Sequence, residues 1–449
     1  MRICYYGDDF TGSTDVLEAL TNGGLRVILF LDIPDRTVWN EKFAEYDGFG
    51  VAGVTRTMSP EQLERTLRPA LAELRAFGAS VVHYKICSTF DSSPTTGSIG
   101  KVIEIGREFY PEQRFTPILA GSPALRRYTV FGNHYAAMGE EAVRLDRHPN
   151  LSRHPITPMR EADLRIHLGQ QTHLSVGLMS VLDLELEGSQ LEERYNRLLD
   201  DAPDIVLFDV LTEKHLGAIG GLIGRESEAA PLFTVGSSGV NNALTAYWQS
   251  KGFILKSSSA AQAGPVDRIL VISGSCSPVT QRQIEWALHN GFEGLHIPAA
   301  DLITPAGEGL ERMMLQAEEL LAAGKSVILY TALGPEDASI EPLQRILREQ
   351  GYDPAASGQL IGERLGGIAH ELIASTGLTR VLFAGGDTSG FAVKQLNVYA
   401  LEMIAPMVPG GPLCKAYSED DRIDGLELVL KGGQVGPVNF FEKVRRGFA

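Results

Sequence analysis

At 449 residues, 44% of them hydrophobic and 21% charged, the chain is too long for one ordinary core and has a globular composition, so two domains are expected. A formal net charge of −16 and a pI near 5.1 set most of the surface against phosphate-coated polymers, which argues against nucleic acid as a partner. No apolar run approaches the ~18 residues of a membrane span, MRICYYGDDF lacks signal-peptide anatomy, and four scattered cysteines without a C-x-x-C pair suggest reduced thiols in the cytoplasm.

The first elements read as strand, helix, strand. Arg2 to Tyr6 is a short apolar strand, followed by GDDFTG. Ser13 or Thr14 can cap the next helix, with Val16, Leu17 and Leu20 on one face, and Asn22-Gly23-Gly24 stops it. RVILFL, residues 26–31, then reads as a buried strand. Ser59-Pro60-Glu61-Gln62 combines an N-cap, a first-turn proline and a capping-box glutamine, predicting a helix to about Phe77. Strands follow at 80–84, 117–120 and 205–208, and residues 144–172, rich in His, Arg and Pro, read as an excursion over the sheet.

KSSSAAQAGPVD, residues 256–267, is small, polar and ends in Pro-Val-Asp, the composition of a linker. Alternation then restarts with strands at 268–273, 326–331 and 380–386, a helix ending at Gly291 and another near 358–375. The expected organisation is α/β throughout: two domains, 1–258 and 266–449, each with a largely parallel sheet, and an active-site cleft between them.

In open α/β sheets, ligands sit beyond the carboxyl ends of the strands, so loops that follow strands come first. In the second domain SGSCSPVT (273–280) and GGDTSG (385–390) each follow a strand and open a helix, and LVLKGGQVG (428–436) adds a lysine and more glycine. Glycine lets backbone N–H groups converge, hydroxyls add donors, and a helix N-terminus favours an anion, so nucleotide phosphates are the natural ligand. Gly324-Lys325-Ser326 imitates the end of a P-loop but precedes a strand, and reads as a helix C-cap. The histidines 134, 148, 154, 167 and 173 show no metal-ligand spacing, and no dedicated metal site is expected. VGSSG (235–239) is not a nucleophile elbow.

In the first domain, Asp8 and Asp9 end a strand, Arg56 precedes a capped helix, and Lys85, Ser88, Thr89 and Asp91 follow another strand. Paired aspartates can divide labour, one taking a proton from a substrate hydroxyl while the other accepts hydrogen bonds. Arg56 and Lys85 can neutralise a substrate carboxylate. The plain alternative is a helix cap with solvated surface charges.

These motifs, in this order and over nearly the whole chain, resemble the four-carbon acid sugar kinases. The resemblance rests on Asp8-Asp9 with Thr11-Gly12, Thr55-Arg56, the loop Lys85 to Thr89, Ser273-Gly274-Ser275, the turn Gly385 to Gly390, and Lys431-Gly432-Gly433 with Asn439-Phe440-Phe441 behind. It implies a sugar acid held in the N-terminal domain by Asp8, Asp9, Arg56, Lys85, Ile86, Cys87 and Ser88. It also implies ATP held in the C-terminal domain by Ser273, Ser275, Gly385, Gly386, Asp387, Thr388, Gly432 and Gly433, with Mg²⁺ on the phosphates. The family's third loop reads Lys-x-Asp-Ser-Thr-Leu-Arg-Gly; here Cys87 replaces the Asp, and Phe90-Asp91 replaces Leu-Arg. That exchange makes a keto or branched relative of a tetronate as fitting a substrate as a tetronate, and Arg126 and Arg127 are candidates to restore the positive charge.

The expected function is therefore ATP-dependent phosphorylation of a hydroxyl on a small sugar acid, with Asp8 or Asp9 as the base. The alternative is a non-catalytic sugar-acid or nucleotide-binding regulator on the same fold. A Rossmann dehydrogenase is disfavoured, because no G-x-G-x-x-G follows the first strand of either domain. A homo-oligomer is left open.

Overall fold

The computed structural model describes the chain except residues 155, 256–261, 304–307, 352–356 and 449. The first half of the expected linker, 256–261, therefore lies outside the described residues. The chain divides into two compact units, residues 1–27 with 32–258 and residues 28–31 with 259–449.

The strands up to residue 258 are β1 (Ile3–Gly7), β2 (Val27–Phe30), β3 (Gly48–Ala52), β4 (Val81–Lys85), β5 (Thr116–Leu119), β6 (Arg127–Val130), β7 (Asn133–Met138), β8 (Glu141–Arg144), β9 (Val176–Met179), β10 (Ile205–Phe208) and β11 (Leu232–Gly236). In the first unit seven of them form a parallel run in the order β3-β1-β4-β11-β5-β10-β9. β1, β3, β4 and β11 are buried along their whole length, which is why they read as unbroken apolar runs instead of alternating ones. All seven point their carboxyl ends to one edge, and that edge carries Lys85 as the last residue of β4 and Asp8, Ser122 and Ser237 just beyond β1, β5 and β11.

Two readings of this unit need correction. The helix Phe10–Asn22 is capped by Asp9, not by Ser13 or Thr14: the Asp9 carboxylate accepts from Gly12 N at 2.8 Å, and the Ser13 hydroxyl donates to the Asp9 carbonyl. The cap position is therefore fixed by one of the paired acids themselves. The excursion also begins earlier than residue 144. Strands β6, β7 and β8 make a three-stranded antiparallel sheet of their own. Phe131 and Gly132 join β6 to β7 with φ of 51° and 79°, the two left-handed residues of a tight hairpin turn. The helix at 59–77 is as expected: Pro60–Ala76, with the full capping box between Ser59 and Gln62.

The second unit adds β12 (Leu270–Ser273), β13 (Glu293–His296), β14 (Val327–Tyr330), β15 (Arg380–Ala384), β16 (Val398–Ala405), β17 (Leu413–Ser418) and β18 (Glu427–Lys431). The run β13-β14-β12-β15-β18 is parallel, and β17, β16 and β2 continue it antiparallel. Residues 28–31, read from sequence as part of the first domain, thus complete the second unit's sheet. Its core gathers Val271, Ile284, Leu382 and Val429 with Phe440 and Phe441 of the NFF segment. Gly324 closes the helix Glu308–Ala322 with φ of 78° ahead of β14, the C-cap geometry expected of the P-loop imitation.

Candidate active site

In the first unit the chain turns sharply at the end of β1. Asp8 N donates to Lys85 O, and Arg56 N donates to Asp8 O, so three separate loops are tied together through their backbones. The side chains then converge. Arg56 donates from Nε to Asp8 Oδ2 at 3.0 Å, from Nη2 to Asp8 Oδ1 at 2.7 Å, and from Nη1 to Asp9 Oδ2 at 2.9 Å; Nη2 also lies 2.7 Å from Asp9 Oδ1. Asp8 and Asp9 are 4% and 6% exposed, so their mutual repulsion is answered inside the protein by one guanidinium.

The two acids are not equivalent. Burial pushes the Asp8 carboxyl up, and the charge on Asp9 adds to this, while Arg56 offsets only part of it; its affinity for a proton is raised. Burial also acts on Asp9, but Arg56 and Lys85 together with the Thr11 hydroxyl and the Gly12 N–H hold it below the ordinary carboxylate range. Pairs of carboxyls driven apart by environment are how a site separates a proton acceptor from a permanent anion.

Lys85 is buried at the end of β4, its ammonium 3.6 Å from Asp15 Oδ2. A side chain on Gly12 would begin 2.4 Å from Asp9 Oδ1 and 2.9 Å from Lys85 Nζ, so only glycine fits between this acid and this base. Thr55 and Tyr84 share a buried 2.7 Å hydrogen bond beneath the cluster.

The loop after β4 is held from outside. Ile86 N donates to Gly236 O. His134 Nε2 donates to Ser88 O at 2.8 Å, which leaves Nδ1 to accept from the Thr129 hydroxyl. Burial lowers His134 to about 4, so the ring stays neutral in this role. Further along, the Cys87 thiol contacts the Thr89 hydroxyl, which donates to Asp91 Oδ1. Burial and the Asp91 charge push Cys87 up to about 11; the thiol stays protonated and is no nucleophile. His134 and Thr129 come from the excursion, and sequence reasoning gave neither a part in the site; His134 figured there only as a metal-ligand candidate set aside.

In the second unit the three glycine-rich elements do come together. Gly274 N donates to Ala384 O, and Gly385 N to Lys431 O. Ser273, Ser275 and Ser277 form a ladder in which each hydroxyl accepts from the backbone N–H two residues on, ending at Val279 in the first turn of the helix Pro278–His289. Gly385 has φ of 141°, which favours glycine, and opens the helix Gly386–Lys394. The Thr388 methyl packs against Gly274, and a side chain on Gly433 would begin 2.7 Å from Ser275 Oγ. The backbone of Asp387 belongs to this helix start; its side chain lies outside the described residues. Sequence reasoning placed Gly432 here, and the structure adds Lys431 itself. Its ammonium is fully buried, donating to Thr280 Oγ1 at 3.0 Å and Gly432 O at 3.1 Å. Burial alone lowers it to about 7. Thr280 in turn donates to Gly433 O. Among the described residues no cluster of three His, Cys, Asp or Glu side chains is arranged to hold a metal ion.

Comparison with known proteins bears on both units. Residues 3–244 match the model of a sugar-binding N-terminal domain, and residues 270–441 that of a nucleotide-binding C-terminal domain. A 3-oxo-isoapionate kinase of Paraburkholderia graminis is 42% identical over 449 residues, covering all of this chain and 94% of the relative. A 3-oxo-tetronate kinase of Methylobacterium radiotolerans is 30% identical over 97% of this chain and 96% of its own. The solved structure of Haemophilus influenzae protein HI1011 superposes with a TM-score of 0.72 at 23% identity, over 99% of this chain and 100% of that one, a likeness of fold. The chain belongs to the four-carbon acid sugar kinase family, built of a sugar-binding and a nucleotide-binding domain.

Proposed function

We propose that the chain phosphorylates a hydroxyl of a small 3-oxo sugar acid with ATP, and that Asp8 takes the hydroxyl proton. The observation that carries this reading is the division of the aspartate pair: Asp8 has a raised affinity for a proton, while Asp9 is fixed as an anion by Arg56 and by capping its helix. Its support from outside is the pair of full-length relatives, both kinases of 3-oxo acids by name.

In this reading Arg56 does not hold the substrate carboxylate. Its guanidinium is already turned onto the two aspartates, and its work is to keep them charged and oriented. Lys85, with a looser 3.6 Å partner, is the cation that meets the carboxylate. Ile86, Cys87 and Ser88 shape the wall beside it. The Ser273–Ser277 ladder, the Gly385–Thr388 turn and Gly432-Gly433 receive the ATP phosphates, and Lys431 lies beneath them. Mg²⁺ supplies charge neutralisation on those phosphates when bound. The protein's contribution is positioning and electrostatics, as phosphoryl transfer requires.

The test is ADP formation by the purified protein with ATP and Mg²⁺ across four- and five-carbon acids, oxo, branched and reduced, beside Asp8→Asn. Turnover of an oxo acid that is lost in the variant supports the reading. ATP binding without turnover of any member contradicts it.

A further inference from the structure

Where β5 gives way to the excursion, two donors stand side by side without partners. Ser122 N donates to Arg127 O at 2.9 Å, and Arg127 N returns the bond to Ser122 O at 3.1 Å. Residues paired in this antiparallel way send their side chains out on the same face. Ser122 is fully buried and its hydroxyl is unpartnered, and the Arg127 Nε is buried and unpartnered as well. Buried polar groups left over in this way are few in native proteins, and each asks for an explanation.

The position of the pair supplies one. Arg127 shares its face of β6 with Thr129, whose hydroxyl donates to His134 Nδ1, and His134 Nε2 donates to Ser88 O in the loop that follows Lys85. The face that Ser122 and Arg127 share is therefore the face of the acid site. Arg126, the other candidate from sequence, is spent elsewhere: it donates to Gly139 O and Glu140 O. Arg127 commits only Nη1, to Leu125 O and Arg126 O. Asp91 stands where the family pattern has an arginine, and Arg127, reaching in from the excursion, replaces the lost cation.

We propose that Arg127 and Ser122 form the donor pair that receives the oxo oxygen of the sugar acid, and so determine this chain's preference among acids. The inference rests on the kinase reading above and extends it. An oxo oxygen only accepts hydrogen bonds, and arginine only donates them. A hydroxyl in the same place brings a hydrogen that only Ser122 Oγ can take, and the Ser122 O–H, which the oxo oxygen would have received, is then left without an acceptor. A site built to hydrogen-bond one group discriminates against an analogue lacking it, because its own buried donors are then left unpaired.

The experiment compares wild type, Ser122→Ala and Arg127→Lys, with thermal melts to check folding. It measures kcat/KM for a 3-oxo four-carbon acid and the competitive inhibition constant of the corresponding reduced acid. The expected result is a loss of roughly ten- to a hundredfold in kcat/KM for the oxo acid in each folded variant, with the inhibition constant of the reduced acid nearly unchanged. Parallel loss for both acids, or no loss for either in folded variants, overturns this inference alone. A wild-type protein that turns over no oxo acid overturns the kinase reading and this inference with it.

Discussion

Arg56 grips Asp8 through both carboxylate oxygens, at 3.0 and 2.7 Å, across 48 residues of sequence. The same guanidinium reaches Asp9, so one side chain bonds two buried acids at once. Removing one partner of a buried ion pair leaves the other stranded. Arg56→Ala is expected to destabilise the protein by about 3–5 kcal/mol, and Arg56→Ala with Asp8→Asn to recover part of that loss. Urea denaturation of both variants measures it. Equal stability of wild type and Arg56→Ala would remove Arg56 from this role.

The two aspartates separate by experiment. Asp8→Asn should keep the fold and lower kcat by roughly 10²- to 10⁴-fold, the contribution of a general base. Asp9→Ala removes the cap of the helix Phe10–Asn22 and should cost about 1 kcal/mol of stability besides any loss of rate. Rate and melting measurements on both variants distinguish a base from a cap.

The pH profile follows from Asp8. A base works deprotonated, and burial lifts this carboxyl above its ordinary value. Activity should therefore fall on the acid side, beginning at a higher pH than an ordinary aspartate would give. The limb belongs to kcat/KM for the sugar acid. A profile flat down to the ordinary aspartate range contradicts the assignment.

Lys431 gives a stability signature of the opposite kind. Burial lowers it to about 7 from 10.5, so between those values the unfolded chain binds a proton that the folded protein does not. Stability should rise with pH from about 7 to about 10. Below that window the folded state carries the full penalty of a buried ammonium. Lys431→Met should flatten the slope, and denaturation at pH 7 and pH 9.5 is enough to see it.

Gly433→Ala addresses the second unit by itself. Its methyl would begin 2.7 Å from Ser275 Oγ and 3.0 Å from Ser277 Cβ, so the serine ladder must shift. The KM for ATP should rise roughly tenfold or more, since displacement by about 1 Å is severe in a positioned site. The KM for the sugar acid should change little.

Much of this was legible in sequence, because the strands are short buried runs and their loops carry unusual residues. Asp8-Asp9, the Ser59 capping box and the serine- and glycine-rich turns of the second unit all announce themselves locally. What stayed hidden depends on partners far along the chain. Nothing local in RVILFL says that residues 28–31 pair with β16. Nothing near Arg56 says that its guanidinium turns onto the two aspartates. The β6–β7 hairpin did carry a signal: Phe131-Gly132 between alternating residues is a two-residue turn. His134 was visible as a residue, but its bond to Ser88 O arises only when that hairpin folds back over the loop after β4.

The most direct measurement follows phosphorus. Incubated with ATP, Mg²⁺ and a 3-oxo four- or five-carbon acid, the protein should yield a phosphate ester by ³¹P NMR, in step with ADP. Asp8→Asn should give none on the same time scale. Release of the γ-phosphate only as inorganic phosphate, or a phosphate ester formed equally well by Asp8→Asn, would contradict the account.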